Sequence, residues 1–388
     1  MRILQTPPRY HPFIGGVEEY VATLSHQLVE RGHDVTVLCA RSDSKTPVEE
    51  VKNSVRIRRL PVAGHLANTP ITPHFPRAVY EEAARADVIH THMPTPWSAD
   101  LSALVGAVTR TPTVLTYHNN VIGTGVASVM ASAYNNIPLP TTLHLTDSVI
   151  TTQQSYLRRA RPLKSVRSKV ECIPNGVDIR RFRPMSVSSE AKRSLGFASD
   201  RDNVLFLSAL DEYHRYKGLD VLLAAMASLA ETTEMPPKLV VGGDGVLRAE
   251  YQAEARQLGI DDHVRFVGRI PDAELVTAYN AADTFVLPST DPDQEGFGLV
   301  LLEALATGTP VVSTDIVGVA NDIESVGVGK VVTRHDPNAL AEGIRDVLDW
   351  EDDPLSDRCR SLCEERYSAR TNAEQVLSVY ADLVEAER

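Results

Sequence analysis

Cysteine is scarce in this chain of 388 residues, with only Cys39, Cys172, Cys359 and Cys363 present. Four scattered thiols cannot form a disulfide framework, and none makes the CxxC pair that structural zinc favours. Cys359 and Cys363 lie four apart, as two small buried residues on one helical face would. Lysine is also rare, eight against 31 arginines, a skew that fits a GC-rich genome and says little about mechanism. Positive charge as a whole is outweighed: the formal net charge is −12. That excludes a general nucleic-acid binder, because neutralising phosphates needs a cationic surface. Long apolar runs are missing too. The longest, Val221 to Ala230, falls far short of the roughly 20 residues a membrane-spanning helix needs. The opening MRILQTPPRY has no apolar segment of the signal-peptide kind, so a reducing, cytoplasmic compartment is expected. What remains is ordinary globular material, 43% hydrophobic and 23% charged, long enough for two large domains.

Strand and helix patterns alternate along the chain. Short buried strands are expected at Arg2–Gln5, Asp34–Cys39, Asp87–His90, Pro112–Tyr117, Ser148–Thr152 and Lys169–Ile173. After Gly15-Gly16, residues Val17, Tyr20, Val21, Leu24 and Leu28 recur at helical spacing, and Gly32 stands where a helix ends. The pattern restarts after a proline-punctuated linker near Phe182–Pro184. Strands are expected at Asn203–Ser208, Lys238–Gly242, His263–Gly268, Thr284–Pro288 and Pro310–Ser313, with helices at Lys217–Glu231, Leu247–Leu258, Asp272–Ala281 and Phe297–Ala306. This is the signature of an α/β protein with two doubly wound, Rossmann-like parallel-sheet domains, 1–184 and 185–370. Ligands of such sheets bind beyond the carboxyl ends of the strands. If the two domains face a shared cleft, the informative residues lie just after strands.

The run from Pro288 to Pro310 is the strongest chemical signal. A strand ends, a polar loop follows, and a helix starts near Gly296–Phe297, where backbone N–H groups and the helix dipole favour an anion. Glu295 and Glu303 bracket Gly-Phe-Gly. A carboxylate accepts two hydrogen bonds from vicinal hydroxyls, so this pair suits a ligand with a sugar at each end and phosphate between. Alone, the two acids equally fit a helix N-terminal acid and a solvated helix face. Gly15-Gly16 let the backbone approach a phosphate closely, although GxGxxG is absent and NAD is not announced. Lys217, after a strand and before a helix, can neutralise a diphosphate as a point charge; taken alone, it also fits a solvated lysine. His90 and His92 form an HxH pair at a strand end and, with His118, are compatible with a metal hydrolase.

The stretch from Glu295 to Glu303 resembles the EX7E motif of family-4 glycosyltransferases, retaining enzymes of the GT-B fold. Pro12-Phe-Ile-Gly-Gly-Val-Glu is similar to that family's N-terminal glycine loop. Asp87-Val-Ile-His-Thr-His92, Ile173-Pro-Asn-Gly-Val-Asp178 and Tyr216-Lys217-Gly218 match further phrases, so the resemblance covers nearly the whole chain. It implies transfer of a sugar from a UDP- or GDP-type nucleotide-diphosphate donor to a hydroxyl acceptor, lipid-linked or a growing glycan. His118, Glu295 and Lys217 would be catalytic. Gly15, Gly16, Arg215, Gly243, Arg269, Phe297, Gly298, Leu299 and Glu303 would hold the donor. Glu295 would orient the transferred sugar, Glu303 the ribose, and His118 would donate to a sugar hydroxyl. Attack on the same face, with the leaving phosphate helping to deprotonate the acceptor, needs no cofactor and no divalent metal. The last helix, 371–388, would pack back on the first domain. One departure stands out: family members usually carry an arginine six residues before the lysine, where this chain has Asp211, and Arg215 is the candidate substitute.

Between Arg158 and Arg183 nine basic residues stand against Glu171 and Asp178. An anionic membrane surface would attract such a stretch at about 1 kcal/mol per nearby cation. The proline-broken, fairly apolar segment Val121–Leu145 borders the acceptor in this fold and would meet a lipid-bearing one. Three other functions remain open at this point: a nucleotide-sugar epimerase of the same fold, the metal-dependent hydrolase, and a non-catalytic sugar-nucleotide binding subunit.

Overall fold

The structure, a computed structural model, describes the chain except residues 14, 67–68, 124–125, 351–353 and 387–388, together with the side chain of Val126. Ile14 of the glycine loop, Thr124-Gly125 of the apolar segment and the final two residues of the chain therefore lie outside the described residues.

In chain order the elements are β1 (Arg2–Thr6), α1 (Gly16–Glu30), β2 (Asp34–Ala40), β3 (Glu49–Lys52), β4 (Val55–Leu60), β5 (Gly64–Leu66), β6 (Thr69–Ile71), α2 (Phe75–Ala83), β7 (Val88–Met93), α3 (Ser98–Thr109), β8 (Thr113–Tyr117), α4 (Val126–Asn136), α5 (Pro138–Leu145), β9 (Ser148–Thr151), α6 (Gln154–Arg159), α7 (Arg161–Lys164) and β10 (Val170–Cys172). They continue with α8 (Ser189–Ser194), β11 (Asn203–Leu207), α9 (Leu219–Thr232), β12 (Lys238–Gly242), α10 (Arg248–Gln257), β13 (Val264–Gly268), α11 (Leu275–Ala281), β14 (Thr284–Leu287), α12 (Leu299–Ala306), β15 (Val311–Thr314), α13 (Ala320–Val326), β16 (Gly329–Val332), α14 (Pro337–Leu348), α15 (Leu355–Arg366) and α16 (Ala369–Ala386).

The chain forms two compact units, Met1–Gly176 with Ala369–Arg388, and Val177–Ser368. In the first, the sheet order is β10-β9-β8-β7-β1-β2-β4-β3, parallel apart from β3, which runs antiparallel to β4. Both faces are covered, so its strands read as nearly continuous apolar runs. Ile3, Val37, Val88, Val114 and Ile150 pack under α1 and α16. Leu4, Leu38 and Ile89 face the other way, against Phe75, Ala78 and Val79 of α2. The second unit has an all-parallel sheet, β13-β12-β11-β14-β15-β16, with helices packed on it in one core.

Each strand order reverses once, between β1 and β7 in the first unit and between β11 and β14 in the second. At such a switch point the connections leave in opposite directions and open a crevice at the strand ends, which is where doubly wound sheets bind ligands.

The division of the chain falls at 176/177 rather than 184/185. Val177 donates its N–H to the Tyr367 carbonyl (2.8 Å), Arg360 donates to the carbonyls of Ile179 and Phe182, and the Phe182 ring packs on Tyr279. The proline-bearing segment is therefore fixed to the second unit. Three expected helix starts also move. Residues 212–217 form a tight 3-10 helix before α9, and residues 272–274 form another before α11. The third, α12, begins at Leu299 because Gly298, at φ 88°, sits in the left-handed region that favours glycine.

Candidate functional site

In the second unit the loops after β11 and β14 leave the switch point side by side. Gly218 (φ 75°) packs so closely that a Cβ there would lie 2.2 Å from the Pro288 carbonyl oxygen. The Thr290 N–H donates to the Tyr216 carbonyl at 2.7 Å. These contacts bring Lys217, next to that glycine, to the start of the second loop. Its Nζ donates to Oε2 of Glu295 at 2.8 Å, and the same oxygen accepts the Ser289 hydroxyl at 2.5 Å. The Phe297 N–H donates to Oε1 at 3.4 Å. The two side chains are only 16% and 2% exposed. Burial alone would lower the lysine pKa, but the Glu295 carboxylate and the Tyr216 phenol beneath the ammonium outweigh it and hold it raised. Lys217 is therefore a fixed, permanent cation.

Glu303 lies half-buried on α12, its Oε2 accepting the Tyr279 hydroxyl at 2.5 Å. Tyr279 is fully buried, and burial with the neighbouring carboxylate drives its pKa well up, so it stays a donor. Gly298 and Leu299 form the start of α12. The Phe297 ring is committed to the core, edge-on to Tyr367 and against Gly318, leaving only its main chain to face a ligand. Gly243, at φ 143°, hugs the Ser208 carbonyl, where a Cβ would not fit. Arg269 is exposed just beyond β13.

Arg215 is placed differently from its expected duty. Its guanidinium donates to Glu212 and to Glu250 on the exposed side of the loop, so two carboxylates already match its charge. Asp211 caps the 3-10 helix, accepting from the N–H groups of Tyr213 and His214 and lying 2.7 Å from His214 Nδ1. The residue that replaces the expected arginine thus serves the loop's own geometry.

In the first unit Gly15 and Gly16 open α1 just after β1. The ladder β1–β7–β8 sets Gln5 beside His90 and His92 beside Thr116, on the face covered by α1 and α16. Both nitrogens of His90 are engaged, Nδ1 2.6 Å from the Tyr380 hydroxyl and Nε2 2.7 Å from Thr116 Oγ1. His92 Nε2 is 2.8 Å from Gln5 Oε1, and its Nδ1 is 3.4 Å from His118 Nε2. Burial pushes the pKa values of His90 and His118 down to about 3 and that of His92 well below its ordinary value. The HxH pair is thus spent on protein partners, and among the described residues no group of three or more His, Cys, Asp or Glu could hold a metal ion.

The basic run is divided between the two units. Arg158, Arg159, Arg161, Lys164, Arg167 and Lys169 belong to the first unit and Arg180, Arg181 and Arg183 to the second. Lys169 is tied to the carbonyls of His144 and Thr146, and Arg181 pairs with Asp272. Among the described residues no helix is long and apolar enough to cross a membrane.

Ser289, Tyr279, Gln5 and Tyr380 escaped the sequence reading. Ser289 is the first polar residue after a strand, and Gln5 is a polar residue near the end of one. Nothing local distinguishes Tyr279 or Tyr380 from other core tyrosines.

Known proteins match both units of the chain. Residues 187–383 match the family model for glycosyl transferases group 1, and residues 14–181 that of glycosyltransferase family 4. The phosphatidyl-myo-inositol mannosyltransferase of Mycobacterium leprae is 30% identical over 390 residues, spanning 98% of this chain and 96% of its own. Among solved structures, the sucrose-phosphate synthase of Thermosynechococcus elongatus superposes with a TM-score of 0.74 at 26% identity, covering 100% of both chains. Anabaena HepE, solved in complex with UDP, superposes with a TM-score of 0.75 at 19% identity over 98% of this chain and 100% of its own, a likeness of fold. With both units matched and the whole length shared, the chain belongs to the glycosyl transferases group 1 and is a glycosyltransferase of the GT-B fold.

Proposed function

We propose that the protein moves a sugar from a UDP- or GDP-type nucleotide-diphosphate sugar to a hydroxyl of a glycan or lipid-linked acceptor, with retention of anomeric configuration. The observation that carries this is the buried Lys217–Glu295–Ser289 constellation at the β11/β14 switch point. As the anomeric C–O bond breaks, its electron pair goes to the leaving phosphate. Lys217 and the main-chain N–H groups at Gly298–Leu299 stabilise that charge. The acceptor oxygen forms the new bond on the same face, and its proton passes to the departing phosphate. Glu295 orients the transferred sugar, Glu303 the ribose, and His118 contacts a sugar hydroxyl. Two cofactor-free cations have been expected for the two phosphates, but Arg215 is already matched by Glu212 and Glu250. Arg215→Ala is therefore expected to raise the donor KM no more than about threefold, against a loss of about 100-fold for Lys217 substitution.

The relatives favour a polyol-bearing acceptor, since the mycobacterial protein is named for a phosphatidyl-myo-inositol substrate. Incubation with UDP- and GDP-sugars, with and without phosphatidylinositol or oligosaccharide acceptors, tests the proposal. Acceptor-dependent release of the nucleoside diphosphate, unaffected by EDTA and giving a product with the donor's anomeric configuration, is expected. Conversion of the donor without any acceptor, or loss of activity with EDTA, would contradict it.

A further inference from the structure

We infer that Tyr380 and Gln5 fix the tautomer of the buried histidine ladder, so that His118 presents Nδ1 as a hydrogen-bond acceptor to a hydroxyl of the transferred sugar. This rests on the assignment of His118 to the sugar, and it reverses the donating role expected from the sequence.

The direction follows from atom to atom. All three rings are buried, and burial keeps them neutral, so each carries one N–H and one bare nitrogen. Gln5 turns its carbonyl oxygen to His92 Nε2 at 2.8 Å. An amide oxygen only accepts, so His92 carries its proton on Nε2 and its Nδ1 is bare. His118 Nε2 faces that bare nitrogen at 3.4 Å and must be the donor. The proton of His118 is then on Nε2, and Nδ1 is left as the acceptor.

What holds Gln5 in this orientation is the far side of the ladder. Its amide nitrogen lies 3.4 Å from both His90 Nδ1 and the Tyr380 hydroxyl. Tyr380 sits 2.6 Å from the same His90 nitrogen and its oxygen accepts from the Gln5 amide. That leaves its own proton for His90 Nδ1 and puts the His90 proton on Nε2, toward Thr116 Oγ1 at 2.7 Å. A bare His90 Nδ1 attracts the Gln5 N–H groups and would repel its oxygen. Because Tyr380 is on α16, the C-terminal helix is a positioning element for His118 although it lies two histidines away.

Long-range ¹H–¹⁵N spectra of the full protein with labelled histidine read the tautomers directly, without substrate. At pH 5 the three buried rings are expected to stay neutral, and all three are expected to show Nε2–H. In Tyr380→Phe, a shape-conserving change, His118 is expected to gain an Nδ1–H population. In the same variant kcat for transfer is expected to fall about tenfold with the donor KM within twofold and the melting temperature nearly unchanged. An Nδ1–H signal for wild-type His118 overturns the inference, as does a shifted tautomer in the variant with unaltered kcat. Absence of any sugar transfer by the wild type would instead remove the functional assignment of His118 and leave the spectra to decide the ladder.

Discussion

Replacing Lys217 by methionine is expected to lower kcat/KM for sugar transfer by about 100- to 1,000-fold, the loss of roughly 3–4 kcal/mol found when one preorganised stabiliser of a developing anion is removed. Methionine keeps most of the side-chain volume, so the change isolates the charge. It also leaves the Glu295 carboxylate, 2% exposed, without its cation, and breaking a buried pair from one side costs about 3–5 kcal/mol. A fall in activity alone would therefore be ambiguous. The double variant Lys217→Met with Glu295→Gln separates the two effects. An uncharged amide can still take the Ser289 hydroxyl, so the melting temperature should recover most of the lost ground. Activity should stay low, because the leaving phosphate still meets no ammonium and the sugar has lost the Glu295 carboxylate. The recovered melting temperature is what shows that the first loss was not a folding defect. Recovery of both would make Lys217 a structural partner of Glu295 and nothing more.

The second large effect is on stability at acid pH. The pKa values of His90 and His118 are pushed from about 6.5 down to about 3 by burial. Below pH 6.5 the unfolded chain takes up protons that the native state refuses, so stability falls as pH falls, and it does so until about pH 3. At pH 5 the cost is about 2 kcal/mol for each of these histidines, with His92 shifted in the same direction. Glu18 acts against them. Burial raises its carboxyl to about 6, so in the native state it is protonated at higher pH than when unfolded and contributes stability as pH drops from 6 to 4.5. That offset is at most about 2 kcal/mol. The net loss is a large part of a domain's usual 5–15 kcal/mol. Urea midpoints at pH 7, 6 and 5 should fall steeply, and His90→Asn with His92→Asn should flatten the slope by about two protons. A midpoint flat between pH 7 and 5 would mean these rings are charged or solvated.

Much of the architecture was legible because buried parallel strands leave a simple mark. Val204–Phe206 or Val286–Leu287 can hardly be anything but core strands, and the polar residues that follow them fall at strand ends by construction. The stretch from 41 to 86 was less readable. There β4 alternates Val55, Arg56, Ile57, Arg58, a period-2 pattern that was open to reading. Arg56 and Arg58 are neutralised by Glu81 and Glu82 of α2, and such remote pairing has no local signature. The domain division was displaced because proline at 184 suggests a linker, whereas Val177 is bound to Tyr367 and the Phe182 carbonyl to Arg360, 178 positions on. Around the site, Lys217, Glu295 and Glu303 were visible as residue types at telling positions. Their partners Ser289 and Tyr279 were not, since a hydroxyl aimed at a carboxylate is a fact of packing. Arg215 is the opposite case: a residue type visible in the sequence is bound by two acids, one of them 35 positions on, which no local pattern announces.

Thermal melting against UDP, GDP, ADP and their sugar conjugates bears most directly on a pyrophosphate held at Lys217. One nucleotide class, present at about 100 times its Kd, should raise the melting temperature of the wild-type protein by about 5 °C or more, and Lys217→Met should abolish that rise. If none of these ligands moves the transition at millimolar concentration, or if the variant responds as the wild type does, the β11/β14 switch point is not the donor site.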